Sequence, residues 1–90
     1  MPFSTITEIR NANKAAGGAW FDQPCRAETA IIDGHYWVES RAKAHHEGDG
    51  RWYAAVHVTD DGRVKYLDHD QTRLDSVDAA RQTIEEHRNG

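Results

Sequence analysis

A chain of 90 residues and 10.2 kDa accommodates one domain, residues 1–90, because halving it would leave each piece near the size at which a core fails to form unaided. Of its 34 apolar residues 12 are Ala and only 14 are Leu, Ile, Val or Phe, so the core is thin. Yet 11 basic against 15 acidic residues leave a net charge of only −4, and three Trp and three Tyr bring large rings to bury, which argues for a folded chain over a disordered one.

The first periodic segment runs from Thr5 to Ala16. Thr5 is placed to cap it and Glu8 to complete a capping box, Ile6, Ile9, Asn13 and Ala16 share one helical face, and Gly17-Gly18 ends it. Asn13 is the odd residue on that stripe; a buried amide bonded to neighbouring backbone is favoured over a ligand contact. Past Trp20-Phe21, Asp22-Gln23-Pro24-Cys25-Arg26 has turn chemistry. Strands are predicted at Thr29–Ile32 and Tyr36–Arg41, joined through Asp33-Gly34 in a tight type I′ turn. Ala44–Gly50 is polar and glycine-containing, Trp52–Thr59 alternates again, and Asp60-Asp61-Gly62-Arg63 leads into a fourth strand at Val64–Leu67. Ser76 caps a closing helix whose Val77, Ala80, Ile84 and His87 line one side and which ends near Asn89-Gly90.

The order helix, four strands, helix reads as an α+β fold, a four-stranded antiparallel meander flanked by an N-terminal and a C-terminal helix, with one or both helices on a single face. The other face is then solvated, dimerised or functional. Alternation assigns Val38, Trp52, Val56 and Val58 to the covered face and turns Trp37, Arg41, Tyr53 and His57 outward as a partner- or ligand-binding patch of rings and one guanidinium.

Asn11-Ala12-Asn13-Lys14-Ala15-Ala16-Gly17, then Trp20-Phe21, then Gly34-His35-Tyr36-Trp37-Val38-Glu39-Ser40 and Asp78-Ala79-Ala80-Arg81 resemble a family of small proteins of unknown function from bacteriophages, plasmids and bacterial genomes. The chain departs from it after the aromatic pair: where relatives have an aromatic-rich stretch, it has Cys25-Arg26-Ala27. The resemblance implies an origin in a mobile element and an accessory role, and carries over no catalytic residue.

Chemistry-bearing groupings are few. His45, His46, Glu47 and Asp49 share a loop, but adjacent imidazoles seldom reach one ion and no Cys pair or His-Glu-x-x-His helix accompanies them, so a solvated loop is favoured over a metal site. Asp60-Asp61-Gly62 and Asp68-His69-Asp70 lack the spacing of a calcium loop and read as turns. Cys25 beside Arg26 has a route to a lowered thiol pKa, although no nucleophile motif surrounds it. No phosphate loop, nucleophile elbow or paired carboxylates appear, so neither catalysis nor a cofactor is expected.

Residues 1–45 hold five acids and five bases, and residues 46–90 ten acids and six bases, so no basic stripe marks a nucleic-acid surface. The N-terminus Met1-Pro2-Phe3-Ser4 lacks a basic-then-apolar leader, no apolar run approaches a membrane span, and the single cysteine excludes an intramolecular disulfide, which together point to the cytoplasm, that of the host cell for a phage-encoded chain. The expected function is non-enzymatic: binding and modulating a host or defence protein, with the acidic surface steering the chain toward a basic target. The alternative is sequestration of a small nucleotide at the interface of an oligomer, and a homodimer is compatible with either.

Overall fold

The computed structural model describes residues 2–20, 25–67 and 73–90. In chain order these form α1 (Ile6–Ala15), β1 (Arg26–Ala27), β2 (Tyr36–Ala42), a 3-10 turn at His45–Glu47, β3 (Arg51–Val58), β4 (Val64–Tyr66) and α2 (Val77–Asn89). The strands make one antiparallel sheet in the order β1-β2-β3-β4, so the fold is α+β with the order α-β-β-β-β-α.

Both helix starts follow from their capping residues. The Thr5 hydroxyl accepts from Glu8 N at 3.2 Å and that of Ser76 from Ala79 N at 3.1 Å, satisfying amides that have no partner in the first turn. Glu8 reaches back not to Thr5, as a full capping box would, but to the amide of Ser4 at 3.4 Å. Gly17, at φ +83°, takes the left-handed conformation that ends α1. Asp33 and Gly34 at φ 54° and 73° make the expected turn, closed by His35 N donating to Ile32 O at 3.2 Å.

The arm preceding that turn differs from the expected strand at Thr29–Ile32. The edge strand is Arg26–Ala27, paired with Ser40 and Glu39, and Ile32 makes only an isolated bridge to Tyr36. Between them Val38 N donates to the Thr29 hydroxyl at 3.1 Å in place of a backbone carbonyl, so the ladder is broken by a side chain.

The sheet is sandwiched, which corrects the expectation of helices on a single face. Ile9 of α1 packs with Trp37, Val56 and Val58, flanked by Phe3, Ile6, Trp20 and Tyr66. Ala80 and Ile84 of α2 pack on the opposite side with Tyr36, Val38 and Ala55, flanked by Tyr53, Leu74 and Val77. Register explains the difference. Trp37 pairs with Val56 and Val38 with Ala55, so Val38 and Val56 lie on opposite faces instead of sharing one. Because β2 is buried continuously from Tyr36 to Ser40, its alternation does not reveal which face is inside; both are. Each face of the sheet packs against a helix.

Candidate functional site

The four residues expected to form one outward patch are divided between the two faces. Trp37 is fully buried under α1, its ring meeting Trp20 edge-on at 5.2 Å. Arg41, on the same face, extends toward Glu47 at 3.7 Å. Tyr53 and His57 lie on the α2 face, where Tyr53 is half-buried against the core and exchanges backbone hydrogen bonds of 2.9 Å with Leu74. The patch of Trp37, Arg41, Tyr53 and His57 is therefore not a surface, and of the four only His57 joins a cluster of other titratable rings.

That cluster is built from three elements. The cross-strand pair of Tyr36 and His57 sets their rings 4.9 Å apart, α2 delivers His87 to within 5.4 Å of His57, and His35, at the start of β2, comes within 6.1 Å. The Tyr36 hydroxyl and His87 Nδ1 are 2.8 Å apart. Arg88 Nε lies 3.3 Å from Asp33 Oδ2, tying the end of α2 to the turn before β2. His35 Nδ1 lies 2.9 Å from the Val58 carbonyl and donates to it, while its Nε2 faces Asp60 Oδ1 at 3.3 Å. Burial holds the pKa of His57 below the ordinary histidine range, and the charges that His87, His35 and Lys65 can carry push it further down, against a smaller pull from Asp60. Its surroundings thus favour the neutral imidazole. An open cleft of about 300 Å³ lies against these groups, lined by His35, His57, Val58, Thr59 and Asp60. The signal for this site was in the sequence, since His87 falls on the apolar stripe of α2; what was missing was the register that sets His57 beside Tyr36.

A second polar group sits under α1. Glu39 is only 2% exposed and accepts from the Trp20 indole at 2.8 Å and the Tyr66 hydroxyl at 2.5 Å, so each carboxylate oxygen has a donor. Cys25 lies against it. Its thiol is pushed up to about 11, first by burial and then by its hydrogen bond to Glu39 and the charge of that carboxylate. The expected lowering by Arg26 does not occur: Arg26 turns to Glu28 at 2.6 Å, and Arg41 supplies only a minor opposing effect. The Tyr66 hydroxyl is raised by burial and by the same carboxylate. The group is a satisfied buried network whose thiol stays protonated.

Asn13, 3% exposed, has the bonding favoured for it: its Nδ2 donates to Gly62 O and its Oδ1 accepts from Trp20 N, both at 3.1 Å. It fastens α1 to the β3–β4 turn. The loop carrying His45 and His46 exposes both rings, and Glu47 turns inward to accept from Ala44 N at 2.8 Å. Among the described residues no group of three or more His, Cys, Asp or Glu is placed to hold a metal ion. The Asp60-Asp61-Gly62 segment is the β3–β4 turn, with Gly62 N donating to Thr59 O at 2.9 Å. Asp68-His69-Asp70 and the turn expected at Asp22-Gln23-Pro24 lie outside the described residues. Among the described residues no helix is long and apolar enough to cross a membrane. No family model, curated protein or solved structure matches the chain.

Proposed function

We propose that the chain is a non-enzymatic accessory protein of a phage or another mobile element, acting in the cytoplasm by binding and modulating a host or defence protein. The observation that carries this reading is where its reactive groups are spent. Glu39 is saturated by two donors and Cys25 is held protonated beside it, whereas the polar rings that remain reachable, His35 and His57 with Asp60, line an open cleft at the end of the sheet. Such rings and a carboxylate at a rim suit contact with another protein. The mobile-element origin rests on the resemblance of Asn11–Gly17 and Gly34–Ser40.

The runner-up, sequestration of a small nucleotide, is favoured by one feature of the same cleft: imidazole rings for stacking lie beside Thr59 and Asp60, whose oxygens suit ribose hydroxyls. Native mass spectrometry of the tagged protein recovered from a bacterial host lysate separates the two. A discrete host polypeptide, lost when His35 and His57 are replaced by Ala, supports the proposal. A homodimer carrying a small extra mass supports sequestration and overturns it.

A further inference from the structure

The strand β4 ends the sheet, and it is three residues long. Its neighbour β3 takes the backbone groups of Lys65, and the flanking bonds from Thr59 N to Arg63 O (2.9 Å) and from Leu67 N to Ala55 O (3.1 Å) continue that ladder. By the alternation of an antiparallel pair, the N–H and C=O of Val64 and Tyr66 point away from β3, and no described residue bonds to them. Beside this edge lies a cleft of about 390 Å³, lined by Gly17 and Gly18 at the end of α1 and by Arg63, Val64 and Lys65. Asn13 and Ala16 of the same helix end complete the wall. Arg63 and Lys65 are exposed, so a chain whose net charge is −4 presents two cations along this one edge.

We infer that β4 is a docking edge for an extended acidic segment of a partner protein, which adds a strand beside Val64–Tyr66 and sets carboxylates opposite Arg63 and Lys65. This rests on the protein-binding reading and supplies the partner chemistry. Main-chain bonds to Val64 and Tyr66 give affinity, and the alternating side chains give selectivity. Arg63 and Lys65 point to the α2 side, Val64 and Tyr66 to the α1 side, so the fitting segment alternates acidic with apolar or β-branched residues. The contact of Arg63 Nε with Asp61 Oδ2 at 3.1 Å joins two exposed side chains and is readily exchanged for a partner carboxylate. A second copy of the chain fits poorly. Antiparallel self-pairing centred on Lys65 sets Lys65 against itself, and pairing centred on Val64 sets Lys65 against Arg63, like charges directly opposed in both registers.

The test uses a synthetic peptide alternating Glu with Thr and Val, its counterpart with Lys for Glu, and a version N-methylated along one edge, all titrated into the full chain. The expected result is that the acidic peptide binds, that Lys65→Glu weakens it about tenfold or more, and that the Val64 and Tyr66 amides gain protection from hydrogen exchange. N-methylation abolishes binding if the peptide pairs as a strand. Equal binding of the N-methylated or the Lys peptide overturns the inference, as does concentration-dependent protection of Val64 and Tyr66 without peptide, which assigns the edge to a second copy. A host polypeptide captured equally by the parent and by Lys65→Glu also overturns it, and leaves the protein-binding reading standing.

Discussion

Replacing Asn13 by Ala tests the joint between α1 and the sheet, and its cost follows from three contributions. The substitution strips the carbonyl of the buried Gly62 of its donor, and Trp20 N of its acceptor. Each orphaned group costs about 1–3 kcal/mol, with Trp20 at the low end because the half-buried residue admits water. Against this, Ala is the better helix former by up to about 0.7 kcal/mol. The net destabilisation is about 2–3 kcal/mol, which for a domain of this size lowers the melting temperature by roughly 10–20 °C. Urea unfolding followed by tryptophan fluorescence and by circular dichroism measures it, and coincident transitions check that the two-state treatment holds. A loss below about 0.5 kcal/mol would refute the assignment of Asn13 as a structural strut and return it to the ligand contact set aside above.

Trp37→Ala should cost about 3–5 kcal/mol and Tyr53→Ala clearly less, since the first ring is fully buried and the second only partly; equal losses in thermal unfolding would show the faces to be misassigned. Because the folded state holds His57 below the ordinary value of about 6.5, its contribution to stability is full above that pH and is lost as pH falls through the folded pKa. Denaturation at pH 7 and pH 5 should therefore show a decline, with His35, His87, Lys65 and Asp60 facing the ring, and His57→Gln should flatten it; an unchanged slope contradicts the reading. Gly17→Ala meets only the left-handed backbone, at about 1 kcal/mol, whereas Gly62→Ala also drives a Cβ to 2.7 Å from Ala12 and should cost about 3 kcal/mol or more. Calorimetry that ranks them the other way removes the close approach of α1 to this turn. Raising the Cys25 thiol from 9.0 to about 11 leaves about a hundredfold less thiolate at neutral pH, so alkylation by iodoacetamide should be slow in the folded protein and fast in urea. Equal rates would deny the burial beside Glu39.

What the sequence made legible is local chemistry. The caps at Thr5 and Ser76, the left-handed pair Asp33-Gly34 and the glycine after α1 are each decided by residues within a turn of one another. What escaped is decided across the sheet. Thr29–Ile32 has the β-branched composition of a strand, yet Ile31 packs under α1 and Ile32 under α2, and the Thr29 hydroxyl takes over a ladder position. Composition does not encode that substitution. The binding patch failed for the same reason: its members were grouped by alternation within each strand, whereas the register sets Trp37 beside Val56 and away from Tyr53 and His57, and both faces of β2 are covered.

Covering both faces also reinterprets the thin core. The many alanines that read as a deficit include Ala55 and Ala80, which pack together where α2 lies on β3, while the rings are concentrated on the α1 side in Phe3, Trp20, Trp37 and Tyr66. One sheet thus serves two half-cores, one where Ala55 and Ala80 lie among Tyr36, Val38 and Ile84 and one built around the indoles of Trp20 and Trp37, and the buried polar residues Asn13, Glu39 and Ser40 are hydrogen-bonded. With both sheet faces packed against helices, the rim of the sheet is the part of it that stays accessible. Both candidate surfaces lie there, the cleft of His35, His57 and Asp60 at one end of the central strands and the open side of β4 along the edge, and the pairing of His57 with Lys65 makes them neighbours. A partner that lays a strand on β4 therefore passes the histidine cleft. Protonation of His57, which burial defers to below the ordinary histidine value, adds positive charge beside the same segment, so binding of an acidic peptide should tighten as pH falls from 7 to 5. A titration in which affinity is flat over that interval would separate the two surfaces.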